Sequence, residues 1–335
     1  MARTRGKRSK TKKVKAKQLT NRFLRYTLKG TDQVNPDSFY LDLAKDLSLS
    51  NRRLYRQGRM YHIANITVTD TSGATTKVKF ATLPINWTTS KAWNNFFDAW
   101  KDQRATALEN SPSDITGRWA DFKCAMNHQA LIEGTAVPVD SDGDALPAGD
   151  EWRTSEVSFN LAGADKEDQK VFMMGNHQYN FATPTLRGVG VLASLQEIMQ
   201  KPVETPVLPT TFDDSVILGM NPTILSSNED ILQDIAQDND LPPYASLTGL
   251  TVIGAGNPGT TGNDQGLVTR EVGWFGPGSG ILSDPIGLSC LPVMGFPVPL
   301  GLLEVRMDTA KNQNIIGVTI ELVPGSYKGV HAEAF

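Results

Sequence analysis

The feature that most constrains this chain is the separation of its charges along the sequence. The first 30 residues hold 12 of the 33 Lys and Arg residues and neither Asp nor Glu. The rest of the chain therefore carries 33 − 12 = 21 basic residues against all 36 acidic ones. A formal net charge of −3 thus divides into an arm of +12 and a body of −15. The body must build the fold, and the arm requires a partner of opposite charge.

The arm cannot fold by itself. Nine of its charges lie between Arg3 and Lys17, a segment that lacks aromatic residues and has Val14 as its only larger aliphatic residue. Such a segment buries too little apolar surface to offset the entropy lost on ordering, so we predict that residues 1–20 are disordered in isolation. The arm does not resemble a secretory signal peptide, because no apolar region follows the charges.

Dense positive charge on a flexible arm is suited to a polyanion, because each Lys or Arg placed at a phosphate releases condensed counterions. No aromatic side chain lies among these charges, so we expect phosphate neutralisation without reading of base sequence. A nuclear-localisation signal at 7–17 (KRSKTKKVKAK) is the alternative. A membrane role is disfavoured because the arm lacks an apolar face. The candidate nucleic-acid-binding residues are Arg3, Arg5, Lys7, Arg8, Lys10, Lys12, Lys13, Lys15 and Lys17.

Alternation of apolar and polar residues predicts strands in the body. Residues 22–29 place Leu24, Tyr26 and Leu28 on one face, which predicts a half-buried strand directly after the arm. Residues 60–69 and 76–83 also alternate, and the intervening Asp-Thr-Ser-Gly is typical of a turn, so the two predict a hairpin. Residues 37–47 are ambiguous. Further strands are predicted at 119–126, 151–161, 170–174, 250–253, 301–307 and 315–322.

Helical spacing of large side chains predicts a helix that begins near residue 90, with Thr89 or Ser90 as its N-cap. Its apolar stripe is better explained by core packing than by a ligand site. Shorter helices are predicted at 192–199 and 229–236. The residues of the stripe are Trp93, Phe96, Phe97, Trp100 and Leu108.

Many strands, few short helices and no βαβ alternation predict an all-β fold, an antiparallel jelly-roll β-sandwich with long loop insertions. We expect one jelly-roll domain at 21–335 behind the arm at 1–20, with 213–300 a projecting loop region or a small subdomain. The apolar stretch 285–303 is a candidate for subunit contact or core.

Two cysteines, Cys124 and Cys290, provide no disulfide framework, which favours assembly inside a cell.

One acidic loop resembles a calcium site. Asp140, Asp142, Asp144 and Glu151 match positions 1, 3, 5 and 12 of a calcium-binding loop. Position 6 of such a loop requires glycine, and here it is Ala145. We therefore favour a solvated acidic loop and keep calcium between subunits as the alternative.

Motifs of catalysis and cofactor binding are weak or missing. Residues 254–259 fit GxGxxG, but the sequence that follows cannot begin the helix that would hold a pyrophosphate, so a glycine turn is favoured. The four histidines lack metal-site spacing, and neither HExxH nor GxSxG occurs. We expect neither an enzyme nor a cofactor.

Four stretches of the body carry a resemblance to a known family. They are RWADFKCAMNHQAL (118–131), GDEWRTSEVSFN (149–160), VFMMGNH (171–177) and NDLPPYASL (239–247). They resemble capsid proteins of small circular Rep-encoding single-stranded DNA (CRESS-DNA) viruses. The resemblance implies a self-assembling, non-enzymatic shell protein with the arm inside, against a single-stranded DNA genome. A closed icosahedral shell requires on the order of 60 copies or a multiple. The implied location is the virion, with the host nucleus as a site of assembly.

Two other classes of function compete with the shell protein. A cellular nucleic-acid-binding protein, ribosomal or chromatin-associated, would explain the arm, but such proteins usually carry basic residues on the folded body as well. An enzyme or a lectin-like β-sandwich with a localisation tail would leave the charge density of the arm unexplained. The acidic body favours the shell protein, because it would keep an outer surface soluble and free of stray nucleic acid.

Overall fold

The computed structural model describes residues 19–30, 37–70, 76–109, 121–146, 152–159, 167–175, 178–180, 187–200, 268–275, 289–309 and 314–335. Strands dominate these residues, and most of them pair in antiparallel fashion. The prediction of an all-β fold with few helices is therefore confirmed at this level.

The chain contributes the following elements in order. The strands are β1 (Phe23–Lys29), β2 (Asp37–Asp42), β3 (Arg59–Asp70), β4 (Thr76–Thr82), β5 (Ala125–Asn127), β6 (Glu156–Phe159), β7 (Glu167–Met174), β8 (Gln178–Asn180), β9 (Arg187–Gly190), β10 (Val268–Phe275), β11 (Ser289–Met294), β12 (Pro297–Pro299), β13 (Leu302–Thr309), β14 (Ile315–Leu322), β15 (Pro324–Gly325), β16 (Gly329–Val330) and β17 (Ala332–Ala334). The helices are α1 (Leu43–Asn51), α2 (Trp87–Glu109), α3 (His128–Glu133) and α4 (Val191–Gln200).

Two antiparallel sheets carry eight of the strands. The first sheet has the order β1-β14-β3-β11, and the second has the order β10-β4-β13-β2. The long strand β3 also pairs with β12 and β17 near its start, where Tyr61 faces both Val298 and Ala332. The first sheet is thereby extended beyond its four-stranded part.

The main core lies between these two sheets. In β1 every second residue is buried, as the alternation predicted, and Leu24, Tyr26 and Leu28 all face the core. They share one apolar cluster with Phe80 of β4 and Val305 of β13. Side chains alternate between the two faces of a strand, so one apolar face from each sheet closes a sandwich.

A third layer covers the outer face of the second sheet. Strands β5, β7 and β9 run parallel to one another, and β6 and β8 flank them in antiparallel pairs. A second core contains Tyr40 of β2, whereas the next residue, Leu41, lies in the main core. The second sheet is thus buried on both faces.

The predicted hairpin at 60–83 is wrong, although both of its strands are confirmed. β3 pairs with β14 and β11 in the first sheet, and β4 pairs with β10 and β13 in the second. Ile66 of β3 and Phe80 of β4 belong to the same core cluster. β3 and β4 therefore lie in opposite sheets, and each turns its apolar face toward the same core.

The predicted N-cap of the long helix is also wrong. α2 begins at Trp87, and the Oδ1 atom of Asn86 accepts a hydrogen bond from the backbone N–H of Thr89 at 2.8 Å. The hydroxyls of Thr88 and Thr89 donate to the same atom. Asn is as good an N-cap as Ser or Thr, so the preceding Asn86 fills that position and Thr89 is inside the helix.

The predicted strand at 119–126 is confirmed only at its end, where β5 begins, and residues 121–124 form no strand. Here side chains replace the strand partner: the backbone N–H of Cys124 donates to Gln57 Oε1 at 2.8 Å, and that of Lys123 donates to Ser155 Oγ at 2.9 Å.

The predicted elements at 151–161, 170–174, 192–199, 301–307 and 315–322 are confirmed as β6, β7, α4, β13 and β14. The ambiguous stretch 37–47 contains β2 and the start of α1.

Part of the predicted projection at 213–300 belongs to the sheets. β10 pairs with β4, and β11 and β12 pair with β3. In the stretch 285–303, Val298, Leu300 and Leu303 are buried, whereas Met294 is 88% exposed. The predicted helix at 229–236, the strand at 250–253 and the glycine motif at 254–259 lie outside the described residues.

The aromatic stripe of α2 packs in the second core, as predicted, around Phe122. The ring centroid of Trp93 lies 4.8 Å from that of Phe122, and that of Trp100 lies 5.4 Å away. Trp93 is 5% exposed, whereas Trp100 is only partly buried. The stripe therefore joins α2 to the third layer.

We expect Trp93→Ala to lower the free energy of unfolding by about 3–5 kcal/mol, because it leaves a large cavity beside Phe122. Trp100→Ala should cost clearly less, since part of that ring already contacts water. Trp87→Ala is the matched control on the same helix, because Trp87 is 50% exposed. Urea unfolding of the three variants checks the order, and equal losses for Trp93 and Trp87 would contradict it.

Candidate nucleic-acid interface

The residues directly before β1 form hydrogen bonds to two other segments of the chain, at Lys328 and at Asn51. Thr20 Oγ1 donates a hydrogen bond to the carbonyl oxygen of Lys328 at 3.0 Å. The backbone N–H of Asn21 donates to Asn51 Oδ1 at 2.7 Å, and Asn51 Nδ2 donates back to the carbonyl oxygen of Asn21 at 3.0 Å. The described chain therefore begins beside the C-terminal end of α1.

An arginine-rich turn follows that end of α1. Arg52 has the left-handed backbone conformation (φ 51°), and its N–H donates to the carbonyl oxygen of Ser48. The N–H of Arg53 donates to the same oxygen at 3.2 Å. This ending is typical of a helix C-cap, and it turns the chain sharply out of the helix. Arg52 and Arg56 are exposed as a result.

Two tyrosines position the cations around this turn. Tyr55 is buried, and its hydroxyl donates to the carbonyl oxygen of Lys328 at 2.9 Å. The ring of Tyr327 meets that of Tyr55 edge-on, with 5.9 Å between centroids. The guanidinium of Arg59 lies 3.8 Å from the centroid of the Tyr327 ring, and Lys328 Nζ donates to the carbonyl oxygen of Leu54. These contacts hold two of the cations in place.

One carboxylate lies inside this cluster. Asp121 Oδ1 is 3.7 Å from Arg56 Nε, and Asp121 Oδ2 is 3.8 Å from Lys123 Nζ. Burial raises the pKa of Asp121, and the charges of Lys123 and Arg56 oppose that rise. The side chain of Arg56 is 60% exposed, so this ion pair is weak and leaves the guanidinium accessible.

We call this cluster the arm-exit surface. Its cations outnumber the carboxylate of Asp121, so the surface is a positive region on a body whose formal charge is −15. Guanidinium groups bind phosphate oxygens through paired hydrogen bonds, which suits a surface of this kind to phosphate rather than to base edges. Its members are Arg52, Arg53, Arg56, Arg59, Lys123 and Lys328.

The predicted binding residues between Arg3 and Lys17 lie outside the described residues. The chain itself fixes where they attach, because Lys17 precedes the exposed Leu19 by two positions. The described chain therefore begins at the end of the sandwich that carries the arm-exit surface.

Sequence reasoning missed the arginines that follow α1. A signal was present, because residues 47–69 contain Arg52, Arg53, Arg56 and Arg59 and no acidic residue. On an acidic body such a run is unusual. Arg52, Arg53 and Arg56 lie in the turn before β3, and the strand predicted from residue 60 does not include them.

The predicted calcium ligands form a local turn. Asp140 Oδ1 accepts hydrogen bonds from the backbone N–H groups of Asp142 at 2.9 Å and Asp144 at 3.0 Å. Val139 and Ala145 close the turn through a β-bridge. Among the described residues these aspartates do not bring three ligand atoms within 4.8 Å of one another, and Glu151 lies outside those residues. Asp140 thus serves as the acceptor that closes this turn.

Within the described part of the chain, no helix is both long enough and apolar enough to cross a membrane. No protein-family model, curated protein or solved structure matches the chain.

Proposed function

We propose that this chain is a viral capsid protein that assembles with copies of itself into a closed icosahedral shell and packages a single-stranded DNA genome through its basic arm. The observation that carries the proposal is the strand order of the sandwich, taken together with the position of the arm. The sequence stretches that resemble CRESS-DNA virus capsid proteins point in the same direction.

The strand order supports a jelly roll. The eight sandwich strands, in chain order, are β1, β2, β3, β4, β10, β11, β13 and β14. The first pairs with the eighth, the second with the seventh, the third with the sixth and the fourth with the fifth. This order is the one that results when a single long antiparallel ribbon of four strand pairs rolls into two sheets, and it contains two Greek keys.

Jelly rolls occur in viral capsids, in lectins and in cupins, so topology alone does not select the function. The charge distribution supports the capsid. Nine cations between Arg3 and Lys17 precede the first jelly-roll strand, and the arm-exit surface adds cations where that strand begins. The function of a lectin or a cupin does not need cations in an arm before the first strand, whereas a shell that packages nucleic acid does.

The quantity of charge fits a small genome. At nine positive charges between Arg3 and Lys17, on the order of 60 copies bring roughly 540 charges to the interior. That is the scale of a single-stranded genome of one or two kilobases. The body, with a formal charge of −15, adds no attraction for nucleic acid outside the shell.

Nuclease protection tests the proposal. Full-length protein purified from an expression host is digested with a nuclease, and the nucleic acid that survives is extracted and sized. A closed shell predicts a protected fraction of defined length that sediments with the protein. Complete digestion would instead favour a cellular nucleic-acid-binding protein, because an open complex leaves its ligand accessible.

The arm-exit surface makes its own prediction. The double variant Arg52→Gln with Arg56→Gln should weaken binding of single-stranded DNA and lower the slope of log K against log salt by about 1.4, roughly 0.7 per lost phosphate contact. Both residues are exposed, so stability should hardly change.

The matched control for that variant is Lys91→Gln with Lys101→Gln, which removes two exposed cations from α2. Fluorescence anisotropy at several salt concentrations gives the slope for each protein. If the α2 pair and the arm-exit pair lower the slope equally, the arm-exit surface has no particular role.

A further inference from the structure

Two histidines and a glutamate meet where the C-terminal strand joins β3. The pairing of Ala332 with Tyr61 places His331 beside His62 on the neighbouring strand, and the N–H of His62 donates to the carbonyl oxygen of His331 at 3.3 Å. Glu333 follows His331 by two positions, so both side chains lie on the same face of the strand. Residues from two distant parts of the sequence thus form one cluster.

The distances within the cluster are those of potential metal ligands. The two imidazole rings lie 4.5 Å apart between centroids, and His331 Nε2 is 3.3 Å from Glu333 Oε1. One ligand atom from each of the three residues lies within 4.8 Å of the other two. His62 Nε2 is buried and has no hydrogen-bond partner among the described residues.

We propose that His62, His331 and Glu333 bind a zinc ion, with the fourth coordination position open to water. Two ligand atoms at about 2.0–2.1 Å from a tetrahedral zinc lie about 3.3 Å from each other. The pair His331 Nε2 and Glu333 Oε1 already has this separation. Two imidazoles and one carboxylate form an established ligand set for zinc, and the exposure of Glu333 leaves the open position accessible to water.

The unpartnered Nε2 atom of His62 is the observation that most favours a bound ion, because buried polar atoms are normally hydrogen-bonded. A bound ion would fasten β17 to β3 and so stabilise the C-terminal end of the sheet. This inference does not depend on the proposed shell function.

Zinc binding is measured on the full-length protein after nuclease treatment, by competition with a chromophoric chelator. We expect one zinc ion per chain. Cobalt(II) should give the visible absorption of a four-coordinate site, and zinc should displace it. Zinc should also raise the midpoint of thermal unfolding, and a chelator should reverse that shift.

The variants His62→Ala, His331→Ala and Glu333→Gln should each weaken zinc binding by at least about tenfold, a loss that even changes outside the ligand shell can cause. Glu333 is exposed, so Glu333→Gln is expected to fold. If the histidine variants fail to fold, Glu333→Gln alone tests zinc binding. Glu109→Gln, at the exposed end of α2, is the control and should bind as the wild type does. Absence of stoichiometric zinc, or equal affinity in Glu333→Gln and wild type, would overturn the proposal and leave only a contact between His331 and Glu333 beside the tilted ring of His62.

Discussion

Deletion of residues 1–17 is expected to abolish co-purification of nucleic acid while leaving the β-sandwich folded. The deletion removes nine cations, which should lower the slope of log K against log salt by about 6 for single-stranded DNA. Thr20 and Asn21, whose hydrogen bonds fasten the start of β1, remain in the shortened chain. The absorbance ratio of the purified protein at 260 and 280 nm measures bound nucleic acid, and circular dichroism checks the fold.

A full-length variant with residues 2–17 in scrambled order is the matched control for that deletion. Its charge is unchanged, and phosphate neutralisation does not depend on the order of the arm residues, so it should bind as well as the wild type. Loss of binding in the scrambled variant would indicate recognition of a specific arm sequence. Nucleic acid retained by the shortened protein at moderate salt would contradict the role of the arm.

Replacement of Asp42 by Ala is expected to lower the free energy of unfolding by more than about 3 kcal/mol. Asp42 is 2% exposed, and its Oδ1 accepts hydrogen bonds from the N–H groups of Ala44 and Lys45, both at 3.0 Å. Its Oδ2 accepts from Gln57 Nε2 and Trp152 Nε1, both at 2.8 Å. Four donors thus converge on one buried carboxylate that caps α1.

The size of this loss follows from the unpaired donors. Each buried donor left without an acceptor costs about 1–3 kcal/mol, and the lost N-cap contributes about 1 kcal/mol of that total. Burial also raises the pKa of Asp42, which means that keeping the carboxylate charged is itself unfavourable. Its removal recovers part of the loss, so the net effect stays well below the sum over four donors.

Two further variants make the Asp42 prediction specific. Asp42→Asn keeps an oxygen that can cap α1 but turns an NH2 group toward Gln57 or Trp152, so its loss should be intermediate. Asp140→Ala also removes a carboxylate oxygen that accepts two backbone N–H bonds, but Asp140 is exposed and its loss should be under about 1 kcal/mol. Chemical denaturation ranks the three variants. Equal stability of Asp42→Ala and Asp140→Ala would show that the buried network contributes little.

The strands that the sequence predicts best are those with one buried and one exposed face. β1 and β14 alternate regularly, because each has one face in the main core and one face outside it. The pairing of strands was less predictable. Ile66 lies opposite Ile320 in the first sheet, and only the complete set of strand pairs selects that register over a local hairpin.

The candidate sites also differ in how far the sequence predicts them. The arm could be predicted because its charges are consecutive in sequence and do not depend on the fold. Only part of the arm-exit surface could be predicted, since its arginines are close together in sequence but Lys123 and Lys328 reach them only through the fold. The cluster of His62, His331 and Glu333 left no sequence signal, because the pairing of β17 with β3 brings together residues that no short motif contains.

Electron microscopy of the purified full-length protein tests the central claim most directly. The proposal predicts uniform closed particles with internal density, in which an icosahedral reconstruction contains 60 copies of the sandwich, or a multiple, and the start of β1 faces inward. Monomers or small oligomers at every salt concentration and pH would contradict self-assembly. Closed particles in which β1 starts at the outer surface would contradict the packaging role of the arm.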